Sequence, residues 1–171
     1  MKDNLNIKGT VFLKLQKSNG EIYNHTIENI VVNTGKEFFA KKIFDNSFIG
    51  YIAKIGIGTN LTDQTVNDNM TSFDNGSYQQ IKKSINSESS GIETVNGVDN
   101  AIDYVTTFFD TTEDTFTNGA AIQELVLIGL NDDSPQEEVL ICRTTFDDSP
   151  SVGFNKEETD IVTITWRITI N

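Results

Sequence analysis

Carboxylates are the most abundant chemically active side chains in this sequence, and many of them are grouped in polar stretches. Asp and Glu total 25 of the 171 residues. The groups lie at Asp63–Asp68, Asp110–Asp114, Asp132–Asp133 and Asp147–Asp148. Their oxygens are ligands that Ca²⁺ prefers, although no stretch has the spacing of the calcium loop found between paired helices. Two interpretations stay open: a structural Ca²⁺ ion, or loop charge that water solvates without any cofactor.

The residue types that catalysis needs are scarce. His25 is the only histidine and Cys142 the only cysteine, and no Gly-x-Ser-x-Gly motif is present. Gly56 and Gly58 form a Gly-x-Gly pair, but the third glycine and the following helix of a dinucleotide site are missing. We therefore predict no catalytic residue, no metal ligand set and no enzyme activity.

Glu124 interrupts a predicted apolar strand in the Gly119–Leu130 run. A buried carboxylate is costly unless it is paired. Arg143 and Arg167 lie in other predicted strands and are the natural partners. We predict a structural ion pair among these three residues rather than an active carboxylate.

The charge balance excludes two classes of partner. Lys and Arg total 13, so the net charge is -12. Nucleic-acid binding depends on neutralising phosphates with basic side chains, so it is not expected here, and neither is binding to an anionic membrane surface. The amino-terminal residues show no basic stretch followed by an apolar run, and no apolar run is long enough to cross a bilayer, so we expect neither a secretion signal nor a membrane span.

The elements that must position these side chains are clearest at the carboxyl end. From Asp160 to Asn171 apolar and polar residues alternate, which predicts a long strand with one buried face. A helix is predicted from the Thr34 and Glu37 capping box to about Asp45. We expect both elements to face one core, which comprises Phe39, Ile43, Phe44, Val162, Ile164, Trp166 and Ile168.

Turn residues divide the remaining chain into short strands. Asn19-Gly20 and Asn96-Gly97 are typical of tight hairpins. About eight strands with one short helix after the second predict a mainly β fold, an antiparallel β-sandwich or jelly-roll-like domain. We expect a single domain over residues 1–171, with a polar, loop-rich insert at about residues 59–100.

Four short stretches carry a family resemblance. They are Asn33–Phe38 with its helix, Ile55–Thr59, Asn118–Leu125 followed by Leu140–Thr144, and Ile164–Ile168. In order and spacing they resemble small β-rich structural proteins of tailed bacteriophages, such as tail-fibre, tail-adaptor or other virion appendage proteins. The sequence departs from that pattern at Val126–Gly129 and in its long insert.

The resemblance implies a virion structural protein, made in the host cytoplasm, that acts as a tail, neck or fibre-associated subunit. Such a protein contacts other virion proteins and works as a homo-oligomer. The alternative is a binding module whose exposed loops recognise carbohydrate or a host receptor. Its ligand-stacking residues would be the loop aromatics Phe73, Tyr78 and Phe116.

Overall fold

The fold is taken from a computed structural model that describes residues 6–59, 69, 80–95, 97–109, 121–131, 135–146, 154–155 and 159–170. Within them lie eleven strands and one helix. They are β1 Ile7–Gln16, β2 Ile22–Val31, α1 Asn33–Phe44, β3 Tyr51–Gly58, β4 Gln80–Ser84, β5 Gly91–Val95, β6 Val98–Phe108, β7 Ala121–Ile122, β8 Glu124–Leu130, β9 Glu138–Thr145, β10 Phe154–Asn155 and β11 Ile161–Ile170.

Nine of these strands form one sheet in the order β4-β3-β8-β9-β2-β1-β11-β6-β5, with every neighbouring pair antiparallel. The sheet curls so that its β4 end returns to β6: the amide of Asn86 donates to the carbonyl of Val105 at 2.8 Å, and the Thr106 hydroxyl donates to the carbonyl of Ser84 at 3.2 Å. β7 and β10 pair separately. The result is a curled half-barrel.

The mainly β, antiparallel class with a short helix after the second strand is therefore confirmed, whereas a sandwich or jelly roll is not. Strand propensity and period 2 account for the elements, and the curl follows from the right-handed twist between neighbouring strands. No helix in the described ranges is long and apolar enough to span a membrane.

Two glycines set the hairpins that the sequence predicts. Gly20 has φ 87° between β1 and β2, and Gly97 has φ 80° between β5 and β6. A side chain is disfavoured at positive φ, so glycine allows these tight reversals.

The main core draws buried residues from most strands of the sheet, among them Val11 and Leu13 on β1 and Ile164 and Trp166 on β11. Val11 lies opposite Trp166 and Leu13 opposite Ile164 in the antiparallel register. The four predicted β11 core residues are all buried: Val162, Ile164, Trp166 and Ile168. The alternation in the sequence thus identifies which face of this strand is buried.

The predicted core face of α1 is wrong at two of its three positions. Ile43 is 46% exposed and Phe44 is 82% exposed, while Phe39 is only partly buried. Phe38, one residue earlier, packs into the core instead and is 4% exposed. The reason is the contact between the first turn of α1 and β9, which orients the helix so that Phe38 faces the sheet.

The predicted capping box is also absent. The N-cap residue is Val32, with no side-chain cap. The Thr34 hydroxyl instead donates to the carbonyl of Leu140 in β9 at 2.6 Å. A Cβ at Gly35 would collide with the backbone carbonyl of Ile141, so the first turn of α1 lies directly against β9. Tertiary docking therefore replaces local capping at this helix start.

Candidate functional site

A cleft of about 340 Å³ lies between α1 and the part of the sheet where β8 ends and β9 begins. The docked helix start forms one end, because Thr34 is bonded to β9 and also lines the cleft. Asn131, after β8, and Val139, in β9, form the sheet side. The cleft therefore depends on the contact that fixes α1 to β9.

Two phenylalanines form the aromatic part of the cleft. Phe48 meets Phe38 edge to face, with ring centroids 5.1 Å apart and planes at 85°. This geometry places the positive edge of one ring against the negative face of the other. The ammonium groups of Lys41 and Lys42 each lie 6.0 Å from the Phe48 centroid. Phe48 is thus fixed by an aromatic contact and stays close to two cations.

The polar part of the cleft carries charges of both signs. Glu37 and Lys41 stand one helical turn apart on α1, and Asp45 follows the helix. The Ser47 hydroxyl donates to Asp45 at 2.6 Å and the Ser47 amide donates to the same oxygen at 2.9 Å. These bonds lower the pKa of Asp45, so its carboxylate is held in the charged form. Such a cleft suits binding of a polar or charged group on an aromatic surface.

Close in the chain to the cleft residues Asp45 and Phe48 are exposed apolar side chains, which we name the α1-end patch. It comprises Ile43, Phe44, Ile49 and Tyr51, whose exposed fractions are 46%, 82%, 70% and 50%. All four belong to the end of α1, the connection after it and the first residue of β3. A cluster of large apolar side chains in water is a common mark of an interaction surface.

The predicted ion pair forms between Glu124 and Arg143. The Nε atom of Arg143 lies 2.5 Å from Oε1 of Glu124, and each side chain is 1% exposed. Arg143 lies opposite Val126 in the β8–β9 register, so the pair shares a face with the second apolar cluster, which comprises Val32, Val126, Ile128 and Leu140. We assign the pair a structural role because both side chains are buried on the same face of the sheet as this apolar cluster.

Arg167 does not join that pair, and its assignment is corrected. Strands β9, β2 and β1 separate β11 from β8. Arg167 instead donates twice to Asp103 on the neighbouring β6, at 2.7 and 2.8 Å, and lies 3.8 Å from Glu93. The hydrogen bonds that Arg167 donates to Asp103 raise the pKa of Arg167. Its guanidinium also lies 5.2 Å from the Phe12 ring centroid.

A second ion cluster joins three strands without having been predicted. Lys54 on β3 lies 2.9 Å from Glu138 on β9, and Lys82 on β4 lies 2.5 Å from the same carboxylate. Burial alone would raise the pKa of Glu138, but the bonds from Lys82 and Lys54 outweigh it and lower the pKa. The three residues are far apart in the sequence and come together only through the order of the strands. The sequence alone therefore does not predict this cluster.

The other predicted site residues give no positive evidence of a site. The loop aromatics Phe73, Tyr78 and Phe116 and the four acidic groups lie outside the described residues. Within the described ranges no cluster of His, Cys, Asp and Glu could hold a metal ion. Cys142 is fully buried in the core, and burial raises the pKa of its thiol to about 12.

The sequence did not reveal the cleft, because Asn131 and Val139 lie far along the chain from the aromatic and charged residues that complete it, and only the fold brings them together. Comparison of the chain with known protein families, with curated proteins and with solved structures found no match.

Proposed function

We propose that this protein is a structural subunit of a bacteriophage virion, associated with the tail, neck or fibre, and that it acts through protein–protein contacts. The observation that carries the proposal is the α1-end patch. Its largest members, Phe44 and Ile49, are 82% and 70% exposed, although the chain has a well-filled core elsewhere. Burying such side chains against a partner gains roughly 1.5–3 kcal/mol each.

The surroundings of the patch favour another virion protein as the partner. Lys41 and Lys42 border it and give a local positive charge on a protein whose net charge is -12. The adjacent cleft of about 340 Å³ could receive one side chain from the partner. An apolar centre with a charged rim is the usual anatomy of a protein interface. The four stretches that resemble phage appendage proteins give independent support.

Incorporation into particles tests the proposal directly. Virions are purified from a lysate in which this chain is produced, and its copies are counted by quantitative mass spectrometry. We expect a fixed stoichiometry that survives a high-salt wash. Abundant protein in the lysate with none in washed particles would contradict the virion role.

A pair of variants then tests the patch itself. Phe44→Ser should keep the melting temperature and lose incorporation, because Phe44 is 82% exposed in the isolated fold. Ile92→Ser is the matched control, since Ile92 is 72% exposed but lies on β5, away from α1. Equal incorporation of both variants would mean that the α1-end patch is not required for incorporation into the virion.

The cleft itself favours a second candidate, a carbohydrate or host-receptor binding module. An aromatic ring beside amide and carboxylate groups, here Phe48, Asn131 and Glu37, is a suitable surface for a sugar ring and its hydroxyls. A glycan array distinguishes this candidate: we expect binding that Phe48→Ala abolishes. An array without any binding would leave the assembly role as the better account.

A further inference from the structure

β2 has one edge that the rest of the sheet leaves open. Its residues from Ile22 to Asn29 pair with β1. On the other side, β9 pairs only with Ile30 and Val31. Among the described residues no strand pairs with that side of Ile22–Ile27, and the five side chains from Ile22 to Thr26 are all exposed. In the part of the chain that the structure describes, the sheet is therefore open along the first half of β2.

Two hydrogen bonds show which backbone groups face the opening. The Lys17 amide donates to the Glu21 carbonyl at 2.8 Å, so the odd-numbered residues of β2 direct their backbone groups to β1. The Thr144 hydroxyl, on β9, donates to the Glu28 carbonyl at 3.3 Å, so the even-numbered residues face the other way. Ile22, Asn24 and Thr26 thus present both N–H and C=O to the open edge.

This edge lacks the features that usually prevent strands from pairing. Exposed edges in monomeric proteins carry Lys, Pro or inward-pointing charges. Ile22–Ile27 reads Ile-Tyr-Asn-His-Thr-Ile, with no Lys, Arg, Asp, Glu or Pro, in a chain of which 22% is charged. Ile, Tyr and Thr favour strands. Two copies with a net charge of -12 each can meet here without setting like charges opposite each other.

We propose that a second copy of this chain pairs with this edge, antiparallel, across a two-fold axis at Asn24. In that register Asn24 lies opposite Asn24 of the other copy, and Ile22 lies opposite Thr26. The three open residues of each copy then use all their edge groups in about six intermolecular hydrogen bonds. The inference rests on the assembly role proposed above and names one partner for it.

The side chains are compatible with this register. Tyr23 of one copy lies opposite His25 of the other, on the side where the Phe146 ring lies 6.0 Å from the His25 ring. Aromatic cross-strand pairs stabilise antiparallel sheets. A register centred on His25 would need the Glu28 carbonyl, which already accepts from Thr144. The Asn24 register leaves that bond intact and uses only the open groups.

Sedimentation velocity on the full chain tests the pairing with two proline variants. We expect a dimer for the natural sequence at micromolar concentration. Asn24→Pro should weaken it by at least about tenfold, because the lost N–H serves only the open edge. Its melting, measured with the monomer, should stay close to that of the natural chain. His25→Pro should unfold the protein instead, since the N–H of His25 faces β1.

Cysteine cross-linking tests the register. Across an antiparallel hydrogen-bonded pair the Cα atoms are about 5.5 Å apart, within disulfide range. Asn24→Cys should therefore give a covalent dimer under mild oxidation. Thr26→Cys is the control, because its two copies would lie about 13 Å apart. The buried Cys142 takes no part.

A monomer at all concentrations, or a dimer that Asn24→Pro leaves unchanged, would overturn the edge pairing. Efficient cross-linking of Thr26→Cys but not of Asn24→Cys would overturn the register. Particles that contain the protein while the purified chain stays monomeric would preserve the virion role and reject this inference alone.

Discussion

Glu124 and Arg143 show how one ion pair can be enclosed by an apolar sheet. Both side chains are 1% exposed, and their neighbours on β8 are Leu125 and Val126. Each charge costs several kcal/mol to remove from water, so each depends on the other. Replacing both by apolar residues is a smaller perturbation than removing one.

Glu124→Gln should lower the free energy of unfolding by about 3–5 kcal/mol, because it leaves the Arg143 guanidinium buried without a countercharge. Urea unfolding at neutral pH measures the change. Glu138→Gln is the control, since Glu138 is about one third exposed and should lose less than about 1 kcal/mol. A loss below about 1 kcal/mol for Glu124→Gln would mean that the pair is not structurally required.

Trp166 and Phe44 form a contrasting pair of large apolar residues. Trp166→Ala should cost about 3–5 kcal/mol, because Trp166 is completely buried opposite Val11. Phe44→Ala should change stability by less than about 0.5 kcal/mol, because Phe44 is 82% exposed. Thermal unfolding of both variants tests the corrected core. Similar losses for the two would contradict it.

At the scale of elements, α1 is positioned by its first turn rather than by its own amphipathic pattern. Thr34 and Gly35 contact the backbone of β9, and the Val32 amide donates to the Ile141 carbonyl at 3.1 Å. These contacts direct Phe38 into the core and leave Ile43 and Phe44 outside it.

The Gly35→Ala substitution distinguishes the docking of the first turn against β9 from the intrinsic stability of the helix. In an isolated helix the substitution would stabilise by roughly 0.5–1 kcal/mol. Here the new methyl group would meet the Ile141 carbonyl, a backbone atom that cannot rotate away. We therefore expect a net loss of stability of about 1–3 kcal/mol, as for other overpacked sites. Increased stability in thermal unfolding would show that α1 can move away from β9.

The cluster of Lys54, Lys82 and Glu138 links strands β3, β4 and β9 in a pH-dependent way. The pKa of Glu138 is lowered from its ordinary value of 4.5. Its contribution is therefore present above pH 4.5 and is lost as the pH falls through the lower pKa of the folded protein. Because the carboxylate is about one third exposed, solvent screening limits the contribution to less than about 1 kcal/mol.

Unfolding curves of the natural chain and Glu138→Gln should therefore differ at pH 7 and converge as the pH falls below 4.5. Both side chains are neutral at the acid end, so neither can pair with the lysines there. A difference that is constant with pH would indicate a packing effect of the substitution rather than the loss of an ion pair.

At the scale of the whole molecule, strand order decides which surfaces remain for partners. The same curled sheet buries Trp166 and Cys142, exposes the α1-end patch and leaves one edge of the first half of β2 without a partner among the described strands. The net charge of -12 acts on all these surfaces, since it opposes the approach of a second copy.

Dimerisation through the neutral β2 edge should therefore tighten as salt rises. Raising the ionic strength from about 0.02 M to about 0.5 M shortens the range of repulsion several-fold. Sedimentation at several salt concentrations measures the dissociation constant. Weaker association at high salt would point instead to attraction between opposite charges, as at the lysines beside α1, and would contradict a neutral edge as the contact.

Features that depend on residues close in the chain could be predicted from the sequence alone. Alternation from Ile161 to Ile170 identified the buried face of β11, and glycines at positions 20 and 97 identified two hairpins. The order Asn33–Phe44 identified the only helix in the described part of the chain. Each of these features depends on residues that are close in the sequence. Side chains repeat with a period of two in strands and 3.6 in helices.

Which residues meet across the sheet depends instead on the tertiary structure. It paired Arg167 with Asp103 rather than Glu124, turned Phe38 rather than Phe44 into the core, and left the β2 edge open. Strand order and helix docking depend on contacts between residues far apart in the chain, and local periodicity carries no information about them. The buried pair of Glu124 and Arg143 depends on both. The sequence indicated that a buried Glu124 needs a basic partner, and the fold of the sheet places Arg143 next to it.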